Sequence, residues 1–406
     1  MKFVLNDNTS NWQIKKMPDV VKWGSGGTPK ATIKEYYEGG TIPWLIIGDL
    51  NDGLVTESAT KITELGLENS SAKLIPKGTL LVAMYGSIGK LGITGIECCT
   101  NQAIAYAKEL YGVTTEFMYY QMMLLKSELI SKGKGGTQKN ISQTVLNSLD
   151  IIVPPLDEQR RIVARIEELF SELDAAVATL EQTKEQLAVY RQAVITDVFL
   201  SSSENVGRVI LSEIAQISSG ITKGRKLNPE DTISLPYLRV ANVQNGYLDL
   251  SEIKYIQLKE SEKTKYLLQY GDVLYTEGGD RDKVGRGTIW KNEIEDCVHQ
   301  NHIFKARVNP DLALSEYISY WSMSTDARNY FYSMAKQTVN LASINKTVLS
   351  NLKLPLPELN IQKKIVSEIE SRLSVCDKIE ETVTTALQEA EAMRQSILKQ
   401  AFAGEL

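Results

Sequence analysis

The sequence is poor in the residues that most catalytic and metal sites require. Its 406 residues include two histidines and four cysteines. The histidines, His299 and His302, form an isolated H-x-x-H without the third ligand and glutamate of a zinc site, and the cysteines lack paired metal or disulfide spacing. We therefore expect no metal site, no histidine-based catalysis and reduced, buried thiols at Cys98, Cys99, Cys297 and Cys376.

Long apolar runs are also absent. No stretch approaches the ~18 uninterrupted apolar residues of a membrane-spanning helix, and residues 1–16 lack the apolar core and cleavage site of a signal peptide. These absences predict a cytoplasmic protein. A chain of 406 residues is long enough to form two or three domains.

The net charge of −5 does not by itself indicate a nucleic-acid-binding protein, which usually carries a basic surface. The acidic residues are unevenly distributed, however. Nine acidic and five basic residues lie between 157 and 200, and nine and six lie between 358 and 406. Because the remainder is close to neutral and has local basic loops, the composition is compatible with DNA binding.

An internal repeat organises the chain. A shift of 203 residues places 159–199 on 362–402 without a gap, and 11 of the 41 positions are identical, Gln159/Gln362 and Glu167/Glu370 among them. The segment Thr115–Tyr120 also resembles Ser315–Tyr320. A single duplication of this kind predicts pseudo-twofold symmetry rather than a solenoid.

Each repeat ends in a segment with the seven-residue periodicity of a coiled-coil helix. Asp157 and Asn360 precede the periodic residues and are expected to cap the two helices. Shorter helices are expected at 115–131 and 315–333. The predicted seam consists of Ile162, Ile166, Leu169, Leu173, Leu180, Leu187, Val194, Val366, Ile369, Leu373, Val383, Leu387 and Ile397.

The order of short motifs resembles the specificity subunits of type I restriction-modification systems. In the first half these motifs are SGGTP, IPWLIIGDL, PKGTLLVAMYGSIGK and NQAI, followed by PPLDEQRRIV and the periodic helix. The second half has weaker counterparts, and GSIGK is replaced there by a longer loop from Gly278 to Arg286. The resemblance covers essentially the whole chain.

This resemblance implies an α/β (α+β) fold with two target-recognition domains, at 1–155 and 201–356, and long coiled-coil helices at 156–200 and 357–406. It also implies a non-catalytic subunit that reads a bipartite site in double-stranded DNA, one half per domain. The helices would set the spacer and dock two methyltransferase subunits, with restriction subunits joining through the complex. S-adenosylmethionine, ATP and Mg would act on those partners and not on this chain.

Basic and amide side chains in loops are the expected DNA contacts, because they bind phosphates and base edges. The candidates of the first domain are Lys30, Tyr85, Ser87, Lys90, Asn101, Gln102, Lys134, Gln138, Lys139 and Asn140. Those of the second are Lys223, Arg225, Lys226, Arg239, Asn242, Arg281, Lys283, Arg286, Gln300, Lys336, Gln337 and Asn340.

The sequence is also compatible with two other classes of protein. A coiled-coil scaffold with duplicated domains for a sugar or peptide ligand would show the same alternation of domain and helix. An enzyme with an unrecognised nuclease or methylase site is the second alternative, although the sequence contains no Asn/Asp-Pro-Pro-Tyr/Phe methyltransferase motif.

Overall fold

The computed structural model describes residues 9–135, 139–202, 206–281, 283–337 and 341–406. Contacts divide the chain into two compact units, and each unit takes part of both long helices. Unit 1 comprises Met1–Leu180 and Thr385–Leu406, and unit 2 comprises Glu181–Thr384. None of the described helices combines the length and apolarity that crossing a bilayer requires.

The first half of the chain contains the strands β1 (Gln13–Lys16), β2 (Val21–Ser25), β3 (Ile42–Leu45), β4 (Gly53–Val55), β5 (Lys61–Ile62), β6 (Leu80–Ala83), β7 (Leu91–Thr94), β8 (Cys99–Thr100), β9 (Ile104–Leu110) and β10 (Asp150–Val153). Its helices are α1 (Glu64–Glu68), α2 (Thr115–Ser131), α3 (Gln143–Asn147) and the long α4 (Leu156–Ser202).

The main sheet of unit 1 has the order β2-β9-β6-β7-β4. Its strand β6 is a continuous run of buried apolar residues, as expected for a strand covered on both faces. A smaller sheet, β5-β3-β8, and the antiparallel pair β1-β10 complete the unit. The helix α2 begins where the hydroxyl of Thr114 accepts a hydrogen bond from Phe117 N, and it matches the expected span.

The second half contains the strands β11 (Arg208–Ile210), β12 (Ala215–Ser219), β13 (Thr232–Leu238), β14 (Lys254–Lys259), β15 (Val273–Thr276), β16 (Gly278–Gly279), β17 (Gly287–Ile289), β18 (Val298–His299), β19 (Ile303–Val308), β20 (Lys336–Gln337), β21 (Ala342–Ser343) and β22 (Lys353–Pro355). Its helices are α5 (Leu211–Ile214), α6 (Lys263–Tyr266), α7 (Ser315–Met323), α8 (Thr325–Met334), α9 (Lys346–Ser350) and the long α10 (Leu359–Ala401).

Unit 2 repeats the plan of unit 1. The sheet β12-β19-β15-β17 corresponds to β2-β9-β6-β7, the sheet β14-β13-β18 corresponds to β5-β3-β8, and the pair β11-β22 corresponds to β1-β10. An additional small sheet has the order β16-β21-β20. The helix expected at 315–333 is broken at Ser324, whose hydroxyl accepts a hydrogen bond from Ala327 N and so starts α8.

The long helices pack as antiparallel segments within each unit. In unit 1, Arg394 of α10 donates to Asp174 of α4. In unit 2, Arg191 of α4 donates to Asp377 of α10 at 2.6 Å. These two ion pairs join residues that are equivalent in the repeat. All the predicted seam side chains are buried or half-buried.

Each long helix ends in the core of the other recognition domain. The helix α10 follows the second domain and ends in the core of unit 1, and α4 follows the first domain and ends in the core of unit 2. In unit 1, the ring of Phe402, at the end of α10, lies 5.2 Å from that of Phe117. In unit 2, Phe199, near the end of α4, lies 5.3 Å from Tyr317 and 5.2 Å from Trp321. The seam residues at the helix ends therefore belong to domain cores as well as to helix–helix contacts.

The start of α4 is held by Gln159, whose side chain has no exposed surface. Its Oε1 accepts from Thr114 N at 2.9 Å, and its Nε2 donates to Gly112 O at 2.8 Å and to Pro154 O at 2.9 Å. The prediction that Asp157 caps this helix is wrong, because the helix begins at Leu156 and Asp157 lies inside its first turn.

Gln362 makes the same three hydrogen bonds at the start of α10. Its Oε1 accepts from Leu314 N at 2.9 Å, and its Nε2 donates to Leu312 O at 3.1 Å and to Pro357 O at 2.8 Å. Asn360 likewise lies inside the first turn of the helix and does not cap it. In both units a buried glutamine, not the expected cap, joins the long helix to the recognition domain.

Candidate nucleic-acid interface

Three loops of unit 1 meet at one end of its main sheet. Strands β2 and β6 are both antiparallel to β9, so the loops that follow them lie beside the loop that precedes β9. Met84, just after β6, donates its N–H to Ala103 O at 2.8 Å and accepts from Ile141 N at 2.9 Å. These hydrogen bonds bring the segment after α2 to the same end of the sheet.

Several of the predicted DNA contacts in the first domain are therefore neighbours. Tyr85 and Lys134 each form a β-bridge with Asn140, and Gly86 N donates to Lys139 O at 3.1 Å. On the other side of β6, in the loop before β9, Gln102 lies in hydrogen-bond contact with the hydroxyl of Thr28, two residues before Lys30.

The candidates of unit 1 differ in how free they are to bind a ligand. Lys30, Lys134 and Lys139 are exposed and have no side-chain partner among the described residues. Ser87, Gln102 and Asn140 are exposed, and Tyr85 is 41% exposed. Lys90 instead points its Nζ at Ile47 O, 3.5 Å away, and Asn101 accepts from Ala103 N to form the turn before β9. Gln138 lies outside the described residues.

Unit 2 builds the same end of its sheet with equivalent hydrogen bonds. Glu277, just after β15, donates its N–H to His302 O and accepts from Ile344 N, both at 2.9 Å. These positions correspond to Met84, Ala103 and Ile141. The small sheet β16-β21-β20 then brings Lys336 and Gln337 beside the loop that follows β15.

The longer loop of unit 2 closes in the same way as GSIGK. Ala83 N donates to Lys90 O, and Thr276 N correspondingly donates to Arg286 O, both at 2.9 Å. In both loops the residue before the last one is a glycine with positive φ, Gly89 at 74° and Gly285 at 67°. The extra residues of the second loop therefore extend its tip and leave its base unchanged.

Most of the basic candidates of unit 2 contact other side chains. Arg225 donates two hydrogen bonds to Glu262, at 2.8 and 3.0 Å, and these hydrogen bonds raise the pKa of Arg225 and lower that of Glu262. Lys283 bonds to Asp280 and lowers the pKa of that carboxyl group. In the described part of the chain, the exposed Lys223, Lys226 and Lys336 have no such partner.

Two arginines of the loop after β15 are held by uncharged groups. The guanidinium of Arg281 lies 4.4 Å from the ring centre of Tyr332, with Nη1 3.5 Å from Oε1 of the exposed Gln337. Arg286 donates to Oε1 of Gln244 at 2.9 Å. The Nε atoms of both arginines are buried without a hydrogen-bond partner among the described residues. Neither guanidinium forms an ion pair with a carboxylate among the described residues, so both charges are positioned and remain available to a ligand.

Two other candidates serve the internal structure of unit 2. Asn242 is 3% exposed; its side chain accepts from Arg239 N and donates to Asp249 O and Glu252 O. It stabilises a turn and is not placed to reach a base. Arg239 pairs with Glu252 at 2.9 Å.

Gln300 is less accessible to a ligand than the exposed lysines of unit 2. Gln300 is half-buried and donates its backbone N–H to Leu238 O at 3.0 Å. Asn340 lies outside the described residues.

The neutral residues that position these basic side chains were not predicted from the sequence. Thr28, Gln244 and Tyr332 were not among the candidates, although each contacts one that was. Tyr332 lies in the aromatic stretch Tyr330–Tyr332, four residues before Lys336. An aromatic cluster next to basic residues is a signal that could have found it.

The two histidines of the H-x-x-H are separated by their surroundings. His299 is fully buried, and burial lowers its pKa to about 3, so its ring is neutral at physiological pH. His302 is exposed and lies 2.5 Å from Glu277. No group of three or more potential metal-ligating side chains occurs within the described ranges.

Comparison with known protein families identifies the repeated domain. The model of the type I restriction modification DNA specificity domain matches this sequence twice, over residues 9–187 and 203–389. The chain belongs to this family. The two matches agree with the duplicated loop clusters, one in each unit.

Specificity subunits of type I restriction enzymes resemble the chain over nearly its whole length or over part of it. The specificity subunit of the type I restriction enzyme EcoKI from Escherichia coli K12 is 25% identical over 414 residues, which cover 97% of this chain and 89% of that protein. The MjaIX specificity subunit of Methanocaldococcus jannaschii is 31% identical over 160 residues, or 37% of this chain and 36% of that protein.

Solved structures of the family share the fold. A chain from a study of complex assembly and conformational transition in a type I R-M system is 18% identical, with full coverage of both chains and a TM-score of 0.73. The HsdS subunit of Thermoanaerobacter tengcongensis is 17% identical over 98% of both chains, with a TM-score of 0.54. The expected family and the expected fold of two repeated α/β domains with long helices are both confirmed.

Proposed function

We propose that this chain is the sequence-specific DNA-binding specificity subunit of a type I restriction-modification complex. Each recognition domain, at 1–155 and 201–356, reads one half of a bipartite duplex target, and the long helices set the distance between the halves. The observation that supports this most directly is the pair of equivalent loop clusters at corresponding sheet ends, each rich in basic and amide side chains, in a chain whose family model matches twice.

The chemistry of these side chains indicates which of them bind phosphates and which bind base edges. The exposed lysines, Lys30, Lys134 and Lys139 in unit 1 and Lys223, Lys226 and Lys336 in unit 2, are free to bind phosphates. The held guanidinium groups of Arg281 and Arg286 and the amides of Gln102 and Gln337 are suited to base edges. Pre-positioned arginines lose less conformational entropy on binding.

The chemistry would be carried out by partner subunits. Two methyltransferase subunits would dock on this chain and would use S-adenosylmethionine, and restriction subunits would join through the complex and use ATP and Mg. The chain itself would act in the cytoplasm without a bound cofactor. The family membership favours this assignment over a coiled-coil scaffold for sugar or peptide ligands.

The decisive experiment maps methylated bases in cells that express this chain together with its cognate methyltransferase. Cells that lack only this chain are the control. We expect a split motif, two short half-sites around a fixed gap, that appears only when the chain is present. Methylation that is absent, or that does not depend on the chain, would contradict the proposed function.

A further inference from the structure

Each unit contains a cleft between a recognition domain and a long helix. The cleft of unit 1 has a volume of about 460 Å³ and lies between α2 and α4, and that of unit 2 has a volume of about 260 Å³ and lies between α7 and α10. The same four residue types line both at equivalent positions. They are Glu116, Tyr120, Met123 and Glu167 in unit 1, and Glu316, Tyr320, Met323 and Glu370 in unit 2.

The four carboxylates have no cationic partner among the described residues. Glu116 and Glu316 lie in the first turn of α2 and α7. Arg394 also lines the cleft of unit 1, but it donates to Asp174 of the same cleft. Lys291 lines the cleft of unit 2, but a third carboxylate, that of Glu293, lines it as well. The clefts are therefore negatively charged.

A half-buried tyrosine lies near both carboxylates in each cleft. The pKa of Tyr120 is raised to about 12 by burial and by the charges of Glu167 and Glu116. Burial and the charges of Glu370 and Glu316, with a smaller contribution from Asp377, raise the pKa of Tyr320 to about 12 as well. In each unit, both carboxylates are thus close enough to act on one half-buried ring.

The cleft of unit 2 is also lined by two hydroxyl-bearing side chains that are available to a ligand. Ser319 is 6% exposed and Thr288 is 3% exposed, and both line the cleft. Neither side chain makes a hydrogen bond within the described part of the chain. Neither hydroxyl is completely enclosed, so both can form a hydrogen bond with a group that enters the cleft.

These features define the chemistry of the occupant. Two carboxylates and the face of a tyrosine attract an ammonium or guanidinium group, and the methionine contacts its aliphatic stem. Nucleic acid is excluded because its phosphates would meet unpaired carboxylates. A basic side chain of a protein partner fits both requirements, and the two equivalent clefts indicate two copies of that partner.

We propose that each cleft receives an arginine or lysine side chain of a partner protein that binds this chain in two copies, one per unit. The inference rests on the proposed function, under which this partner is the methyltransferase subunit. The clefts then make the two docking sites equivalent even though most of their surroundings differ in sequence.

The test measures how many methyltransferase subunits bind, by native mass spectrometry and sedimentation at physiological salt. The wild-type chain is compared with the double variants E116Q/E167Q and E316Q/E370Q and with the quadruple variant. Glutamine preserves the side-chain shape and removes only the charge. We expect each double variant to bind one copy with wild-type affinity and the other at least about tenfold more weakly, because a desolvated charge pair is lost. The quadruple variant should bind both copies weakly.

Matched controls remove the same number of charges elsewhere in each unit. Glu64 and Glu68 of unit 1, and Glu260 and Glu295 of unit 2, are exposed and do not line the clefts. The variants E64Q/E68Q and E260Q/E295Q should bind two copies with wild-type affinity. Equal weakening in these controls would show an effect of net charge and would overturn the proposal, as would cleft variants that bind both copies normally.

The result for the wild-type chain distinguishes a failure of the proposed function from a failure of this inference. A wild-type chain that binds no methyltransferase subunit contradicts the proposed function and, with it, this inference. A wild-type chain that binds two subunits, together with cleft variants that do the same, contradicts only the assignment of the clefts. Thermal unfolding of each variant checks that the fold is retained.

Discussion

The buried glutamines at the start of the long helices permit a quantitative prediction. Replacing Gln159 with methionine keeps a side chain of similar volume but removes three hydrogen bonds to backbone groups. Gly112 is exposed, so its carbonyl can bond to water instead. The other two groups, Thr114 N and Pro154 O, are left without a partner at about 1–3 kcal/mol each. We therefore expect the free energy of unfolding of unit 1 to fall by about 3 kcal/mol.

Hydrogen–deuterium exchange is the appropriate assay, because the two units can unfold separately and a single melting curve would mix them. A loss of about 3 kcal/mol corresponds to exchange roughly 100-fold faster in peptides of unit 1. Peptides of unit 2 should keep their protection. The variant Gln362→Met should give the reverse pattern, since Gln362 makes the equivalent bonds and Leu312, like Gly112, is exposed.

The exposed Gln182 on α4 provides the control. Its replacement by methionine should change the exchange of neither unit measurably. The reasoning would be refuted if Gln159→Met cost less than about 1 kcal/mol, the value of a single ordinary hydrogen bond. Equal loss of protection in both units would also refute it, because the three bonds lie entirely within unit 1.

Three further predictions concern unit 2. Replacing Arg281, Lys283 and Arg286 together with alanine should weaken DNA binding and flatten the slope of log affinity against log salt by ~0.9 for each of the three side chains that contacts a phosphate; an unchanged slope and affinity in a salt titration would remove this loop from the interface. Because burial lowers the pKa of His299 to about 3, the unfolded chain takes up a proton first as the pH falls below about 6.5, the usual pKa of a histidine side chain. The variant His299→Asn should therefore lose about 1.5 kcal/mol less stability than the wild-type chain between about pH 6.5 and about pH 5, measured by hydrogen–deuterium exchange of unit 2 peptides with the intrinsic exchange rate at each pH taken into account, and parallel pH curves would contradict this. Gly285→Ala places a Cβ 2.6 Å from an aromatic ring at a φ of 67°, so unit 2 should lose more than about 1 kcal/mol in the same assay, and a smaller loss would show that the loop relaxes freely.

The two equivalent clefts show which features of a site can be predicted from a sequence repeat. The identities Glu167/Glu370, Glu116/Glu316 and Tyr120/Tyr320 are all visible in the sequence. Periodicity predicts that Glu167 lies off the seam of its helix, which is the position of an ordinary solvated residue. Only the packing of α2 against α4 brings Glu116 and Glu167 into one cleft with Tyr120.

The candidate DNA contacts show what residue type and loop position cannot predict. Residue type and loop position select Asn242 as readily as Lys223, because both are polar residues next to strand-like segments. The structure separates them: Asn242 uses its amide to hold a turn, and Lys223 is exposed. The sequence cannot distinguish these roles, since burial of a polar side chain depends on residues such as Glu252 and Asp249 that reach it only after folding.

The sequence by itself determined the class of this protein. Local periodicity and the 203-residue shift fix the two long helices, the duplication and the family, because these depend on residue order alone. Only the tertiary structure decided which parts pack together. The sequence presents each recognition domain followed by its own helix, yet Phe402 packs against Phe117 and Phe199 packs against Tyr317. The apolar end of a helix is buried against whichever core lies within reach in three dimensions, and that choice depends on long-range packing that no local pattern records.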